Sequence, residues 1–211
     1  NPLAITDLFY LRHAQKSASA ADSPINFPTK ALPKLLAALR LHAHPKLLDL
    51  GPATEQNVTF FGEQIQCKIF VEDLFSDIDQ HVIQGKTLAL ENFFISRFPQ
   101  SNDSVDCVLA WDLFDYLEKP AKEALATQLM RIVSPSGFLL TFFSGSQADD
   151  LVYTRRIILD ESTLQNREYP GACNKKAPML NRDIIKLFDQ LQVVEQLLLR
   201  TSVREILFQK Q

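Results

Sequence analysis

The chain has 211 residues, of which 46% are hydrophobic and 22% charged, and its formal net charge is -3. This length is typical of one α/β domain with a small addition, and the hydrophobic fraction argues against a disordered chain. Because the sequence has no long run of Lys and Arg, and no apolar run near the roughly 20 residues of a membrane span, we expect neither a nucleic-acid groove nor a membrane segment.

Strand and helix patterns alternate along most of the chain. Residues 1–28 are a mixed leader, in which a short helical pattern is followed by a loop. The elements predicted after the leader are a helix from 29, a strand over 46–50, a helix over 54–64, a strand over 67–73, a helix over 76–83, strands over 87–90 and 104–111, a helix over 119–133, a strand over 138–143, a helix over 181–191, and strands over 193–200 and 203–209.

This alternation predicts a doubly wound, mostly parallel α/β sheet. The last two strands are joined only by Thr201 and Ser202, a link too short for a crossover, so they are predicted to be antiparallel neighbours. Residues 150–180 depart from the pattern and predict a hairpin that turns near Glu161. We therefore predict a leader over 1–28 and one domain over 29–211, with 150–180 inserted as a substrate lid or an interface hairpin.

The cysteines and the N-terminus bear on the compartment and on metal binding. Cys67, Cys107 and Cys173 are odd in number, and two of them lie in apolar runs, which favours reduced core thiols. The N-terminal segment is too polar for a secretory signal, so we expect a cytoplasmic protein. With scattered cysteines and no paired ligands, the sequence predicts no metal site.

Four stretches together carry a resemblance to a known family. They are DLGPAT after the first strand, the acids that end the second, FPQSNDSVDCVLAWDLFDYL around the fourth, and RIVSPSGFLLTFF before the fifth. With the antiparallel pair at the end of the chain, they resemble the class I S-adenosylmethionine-dependent methyltransferases. The resemblance implies a Rossmann-like sheet of seven strands in the order 3-2-1-4-5-7-6, with the last strand antiparallel. The first loop departs from the family pattern, because Ala53 and Glu55 replace its second and third glycines.

The degenerate loop still favours S-adenosylmethionine over a dinucleotide. A dinucleotide places a pyrophosphate against the loop, where Glu55 would repel it, whereas S-adenosylmethionine has an ammonium group and no phosphate. The resemblance therefore implies a methyltransferase that uses S-adenosylmethionine on a small-molecule acceptor. A catalytically silent methyltransferase-like module for binding or assembly is the alternative. A nicotinamide oxidoreductase is a third hypothesis, but the sequence lacks the glycine fingerprint of that class.

The resemblance also assigns roles in cofactor binding. It gives the methionine end of the cofactor to Asp49, with Gly51 allowing close approach through its lack of a side chain and its access to positive φ, and with Ala53 as a tolerated methyl. It gives the ribose hydroxyls to Glu72, or to Asp73 in its place, because a carboxylate accepts from both hydroxyls.

The remaining assignments are less closely tied to the family pattern. Glu91 or Asn92 matches the adenine-contacting position after the predicted third strand. Trp111 is either core packing or a ring that faces the sulfonium, and Asp112 is the candidate general base if the acceptor has to lose a proton. The basic residues of the insertion meet either an acidic acceptor or solvent, and the hairpin is also a candidate homodimer contact.

Overall fold

A computed structural model describes residues 24–146, 151–199 and 201–211. Its strands are β1 (Ile25–Pro28), β2 (Lys46–Asp49), β3 (Lys68–Val71), β4 (Val105–Trp111), β5 (Val133–Phe143), β6 (Val152–Asp160), β7 (Thr163–Pro170), β8 (Leu191–Leu198) and β9 (Arg204–Lys210). Its α-helices are α1 (Ala31–Leu39), α2 (Glu55–Ile65), α3 (Leu74–Ile83), α4 (Leu90–Arg97), α5 (Lys119–Ile132) and α6 (Asn181–Leu187). The helical pattern predicted in the leader lies outside the described residues.

The main sheet has the order β3-β2-β4-β5-β9-β8. Strands β3, β2, β4 and β5 are parallel, and β9 is antiparallel to both β5 and β8. The prediction of a mostly parallel α/β sheet that ends in an antiparallel pair is confirmed. In the described residues the sheet has six strands rather than seven.

The strand predicted over 87–90 is wrong. Thr87–Ala89 form a single 3₁₀ turn that leads directly into α4. Leu90 and Phe94 are buried one helical turn apart, whereas Leu88, which a strand would have to pack, is 92% exposed. The apolar period is therefore that of a helix, and a run of four residues was too short to reveal it.

The sheet is covered by helices on both faces. Leu47 and Leu48 are neighbours in β2, but they belong to different hydrophobic clusters because successive strand residues point to opposite faces. The Leu47 side packs against α1 and α2, and the Leu48 side packs against α3, α4, α5 and α6. None of the helices in the described residues is long and apolar enough to cross a membrane.

Residues 150–180 contain the predicted hairpin, which becomes part of a second sheet. Strands β6 and β7 are antiparallel, with the turn at Glu161–Ser162, and β1 pairs with β7 to give the order β1-β7-β6. Residues 25–28 were predicted as loop, and that prediction is wrong. A four-residue strand takes its pairing from a partner more than a hundred residues away, which no local pattern reports.

Candidate functional site

The carboxyl ends of β2 and β4 lie side by side at the point where the chain changes faces. After β2 the chain enters α2 on one face of the sheet, and after β4 it goes on to α5 on the other face. Open α/β sheets bind ligands in the crevice at such a switch point. Asp49 ends β2 and Trp111 ends β4, so the structure brings these two predicted residues together.

The Asp49 carboxylate is buried, at 3% exposure, and it accepts hydrogen bonds inside the protein. Its Oδ1 accepts from the Gly51 backbone N–H at 2.9 Å and from the Trp111 indole Nε1–H at 2.6 Å. Burial raises the pKa of Asp49 to about 7, although both hydrogen bonds act in the opposite direction. Strongly perturbed pKa values cluster at functional sites, which makes Asp49 a candidate site residue.

The Trp111 indole lies directly on Gly51. A Cβ built at Gly51 would be 2.7 Å from Trp111 Cδ1 and 2.8 Å from Nε1, so only glycine fits beneath the ring. Gly51 does not use its access to positive φ in this structure, and the contact with the indole is what demands the glycine. Trp111 itself has a φ of 50°, and its ring stacks on Phe142 with 17° between the planes. Trp111 is thus packed in the core in this structure, and its contact with a sulfonium stays a prediction.

The rest of the first loop serves the start of α2. Ala53 is exposed, and Thr54 caps the helix by accepting from the Asn57 backbone N–H at 3.2 Å. The side chain that replaces the family's second glycine therefore has room on its outer side. Its proposed tolerance toward a cofactor stays a prediction.

Each acid after β3 has a partner within the protein. Glu72 accepts from Arg97 Nη2 at 2.7 Å, with both side chains 25% exposed, and Arg97 also contacts Asp77 at 3.2 Å. Asp73 is exposed and caps α3 by accepting from the Ser76 backbone N–H at 3.1 Å. Glu72 therefore lies just after β3 with its carboxylate paired to Arg97 and a quarter of its side chain exposed, and its role toward a ribose stays a prediction.

Glu91 and Asn92 are placed differently from what the family pattern implied. Both lie exposed in the first turns of α4, because the strand that was to precede them is absent from the described residues. Their assignment to adenine was based on that strand, so its structural basis is lost.

Asp112 is the centre of a buried ion cluster. Its Oδ1 accepts from Arg156 Nη1 at 2.6 Å and its Oδ2 from Lys175 Nζ at 2.8 Å, and the aspartate side chain is fully buried. Burial alone would raise the pKa of Asp112, but the two cations outweigh it and hold the pKa below its usual range. In Asp115, 3.5 Å from Lys175, burial prevails and raises the pKa to about 6. Arg156 and Lys175 thus neutralise Asp112 instead of facing solvent.

The hairpin lies against α2 and is fastened to it by one side chain. Asn57 Nδ2 donates to the Arg156 carbonyl at 3.0 Å, and its Oδ1 accepts from the Ile158 backbone N–H at 2.9 Å. These bonds imitate a neighbouring strand and satisfy two backbone groups on the free edge of β6. Helix α2 begins immediately after the glycine loop, and the hairpin therefore lies next to that loop.

A second contact joins the hairpin to α3. The Tyr153 hydroxyl donates to Asp79 on α3, and the Ala172 backbone N–H donates to the same carboxylate oxygen at 2.8 Å. The Tyr153 ring meets those of Phe75 and Tyr116 edge-on, with centroids 5.0 and 4.7 Å away. This arrangement pins the insertion across the carboxyl edge of β3.

Removing the Tyr153 hydroxyl should weaken this attachment. We expect Tyr153→Phe to lower the free energy of unfolding by about 1–3 kcal/mol, because a bond to a carboxylate is lost while the ring contacts persist. Tyr116→Phe is the matched control: its hydroxyl donates to the neutral Val152 carbonyl at 3.1 Å, so the expected loss is about 0.5–1.5 kcal/mol. Urea unfolding measures both, and a smaller loss for Tyr153→Phe than for Tyr116→Phe would contradict the assignment.

Sequence reasoning missed the residues that close the cleft. Asn57 and Tyr153 were not singled out, and Arg156 and Lys175 were expected at the surface or at an acceptor. The pairing could have been suggested by charge alone, because the insertion contains cations and β4 is followed by an acid of opposite charge. No cluster of metal-ligating side chains is found in the part of the chain that the structure describes.

Comparison with solved structures identifies the fold. The chain is similar to 1,6-didemethyltoxoflavin-N1-methyltransferase from Burkholderia thailandensis, solved with 1,6-didemethyltoxoflavin and S-adenosylhomocysteine, with 12% identity and a TM-score of 0.50 over 100% of this chain and 92% of that one. It is also similar to an S-adenosylmethionine-dependent methyltransferase from Mesorhizobium loti, with 10% identity and a TM-score of 0.52 over 84% of this chain and 96% of that one. No protein-family model and no curated protein sequence matches the chain. The chain therefore has the fold of the S-adenosylmethionine-dependent methyltransferases.

The cleft fits S-adenosylmethionine in its chemistry, with one obstruction. The Asp49 carboxylate suits an ammonium group, and the partly exposed Glu72 carboxylate suits vicinal hydroxyls. The Trp111 indole takes the same Asp49 oxygen and covers Gly51, where the family resemblance places the methionine end. The fit therefore requires the indole to leave Gly51.

Proposed function

We propose that the protein is an S-adenosylmethionine-dependent methyltransferase that acts on a small molecule by in-line methyl transfer. The observation that carries the proposal is the Asp49–Gly51 turn at the switch point of a methyltransferase fold, with its carboxylate directed onto the Gly51 backbone N–H at 2.9 Å. The glycine leaves no side chain against the crevice, and the acid supplies the charge that an ammonium group needs. The similar Burkholderia thailandensis enzyme was solved with the small molecule 1,6-didemethyltoxoflavin bound.

S-adenosylmethionine brings a methyl group that its positive sulfur already activates, so the protein's task is positioning, which contributes as much as about 7–11 kcal/mol. Asp49 would hold the ammonium group, and the positive charge would favour the ionised carboxylate over its neutral form. Gly51 would allow close approach, and Glu72 would exchange its Arg97 partner for the ribose hydroxyls. In this role Asp73 is the substitute for Glu72.

Proton removal from the acceptor, where it is needed, falls to the carboxyls after β4. Asp112 was the predicted base, but both of its oxygens are engaged and its pKa is held low. Asp115, with a pKa of about 6, is better matched to proton transfer near neutral pH. The hairpin supplies the cover over this end of the cleft.

A second candidate function is favoured by one specific observation. Trp111 occupies the Asp49 oxygen and the face of Gly51, as expected of a methyltransferase-like domain that has lost its cofactor and acts in binding or assembly.

The cytoplasmic location and the homodimer through the hairpin stay predictions. Within the chain β1 pairs with one edge of the hairpin and Asn57 bonds to the other.

The role of Glu72 gives the proposal a matched test. We expect Glu72→Ala to weaken binding of S-adenosylhomocysteine by one to two decades, about 1.5–3 kcal/mol, because charge-assisted bonds to the ribose are lost. Asp77→Ala is the control, since it removes the other carboxylate from Arg97 but lies in α3, outside the strand end. Both variants should lose about 0–1 kcal/mol of stability.

Calorimetric titration of both variants measures these affinities. Equal losses in the two variants would assign the effect to Arg97 instead of the ribose. An unchanged affinity in Glu72→Ala would transfer the role to Asp73.

A further inference from the structure

We propose that Trp111 is an internal competitor of the cofactor, which binds Asp49 in place of the ammonium group and sets the affinity of the cleft. The inference rests on the proposed function. From its position at the end of β4 alone, Trp111 would be assigned either to ligand contact or to the core.

The indole of Trp111 already occupies the Asp49 carboxylate through a hydrogen bond. Asp49 Oδ1 has two donors, the Gly51 backbone N–H and the Trp111 indole N–H, and the indole is the closer at 2.6 Å. An ammonium group that approached this oxygen would have to displace the side-chain donor, because the backbone donor is fixed by the turn. The indole N–H and an incoming ammonium group therefore exclude each other at Oδ1.

The Trp111 ring also packs tightly on Gly51. The distance from a Gly51 Cβ to Trp111 Cδ1 would be 2.7 Å, so the ring already fills the space that the glycine leaves open. A ligand atom cannot occupy that face together with the indole. The space that Gly51 leaves open is thus filled by the Trp111 indole of the same chain.

The backbone of Trp111 has an unusual conformation. Its φ of 50° lies in the left-handed region, which bulky residues rarely adopt unless surrounding contacts hold them there. The Thr141 hydroxyl donates to the Trp111 carbonyl at 3.0 Å, and Phe142 stacks on the indole. The Arg156 guanidinium lies over the other partner, Phe142, 4.4 Å from the centroid of that ring. Phe142 therefore connects the indole to the hairpin. A strained residue held by its neighbours at a binding crevice is suited to a change of position on ligand binding.

Trp111 is the only tryptophan of the 211 residues, so the intrinsic fluorescence of the protein reports on this one ring. The experiment titrates S-adenosylhomocysteine into the parent protein, Trp111→Phe and Trp111→Ala, by calorimetry for all three and by indole emission for the parent. Phe208→Ala, which empties a fully buried ring site in the middle of β9, controls for general loosening of the core. Thermal unfolding establishes that each variant is folded.

We expect Trp111→Ala to bind at least 10-fold more tightly than the parent, Trp111→Phe to lie between them because it keeps bulk but loses the N–H, and Phe208→Ala to gain nothing. Indole emission of the parent should change as the ring leaves Asp49. Binding by Trp111→Ala alone would support the competitor role and would overturn catalytic activity in the parent. Equal affinities with unchanged emission would overturn the competitor role and leave the proposed function standing. Absence of binding in all variants would overturn both.

Discussion

Asp112→Asn is expected to lower the free energy of unfolding by about 3–5 kcal/mol, because it leaves buried charge without a partner. Arg156 is 1% exposed and Lys175 is 13% exposed, and both direct their charges at the two Asp112 oxygens. The asparagine keeps the shape but removes the negative charge that offsets the two cations. For a chain of this size the loss corresponds to a melting temperature lower by about 6–20 °C.

Two further variants separate the cluster from general effects of charge. Glu118→Gln removes a carboxylate that pairs with Lys176 at 3.2 Å but is 66% exposed, so its cost should be about 0–1 kcal/mol. Arg156→Met introduced together with Asp112→Asn should recover part of the loss, about 0.5–3 kcal/mol of coupling, because the uncompensated guanidinium is gone. An Asp112→Asn protein as stable as Glu118→Gln would show that the cluster is not what holds the hairpin.

Asp49→Asn is expected to become more stable relative to the parent as the pH rises. The pKa of Asp49 is raised to about 7 in the folded protein by burial, so the folded state holds a proton that the unfolded state releases near pH 4. The parent therefore loses stability as the pH rises through this window, and above it the loss is complete. Asparagine keeps an oxygen for Gly51 and Trp111 but does not titrate.

The difference in unfolding free energy between Asp49→Asn and the parent should rise by about 3 kcal/mol between pH 5 and pH 8. Urea unfolding at a series of pH values measures it. The raised pKa of Asp115 acts in the same direction in both proteins and cancels in the difference. Parallel pH curves for the two proteins would contradict a buried, proton-binding Asp49.

The fold was predictable where patterns are local and repeated. The first strand, over 46–50, coincides with β2 to within one residue, and the helix over 119–133 coincides with α5 equally well. The antiparallel pair β8 and β9 followed from the two-residue link at Thr201 and Ser202. The prediction for residues 87–90 failed because a run of four residues fits both the strand period and the helix period, and Leu90 and Phe94 follow the helical one.

The site was predictable as a location but not as a set of contacts. Asp49, Glu72 and Trp111 lie at the carboxyl edge of the sheet, as strand ends in this fold should. That Trp111 donates to Asp49 depends on a backbone angle of 50° and on the stack with Phe142, which one-dimensional spacing does not encode. The pairing of Asp112 with Arg156 joins residues 44 positions apart, and the hairpin fold alone brings them together.

The methyltransferase proposal is decided by calorimetric titration of the parent protein with S-adenosylhomocysteine, with NADH in parallel. We expect saturable one-to-one binding of S-adenosylhomocysteine and none of NADH, because Asp49 suits an ammonium group and Glu55 repels a pyrophosphate. Absence of S-adenosylhomocysteine binding up to about 1 mM, where the free energy of binding would be weaker than about -4 kcal/mol, would contradict the methyltransferase proposal.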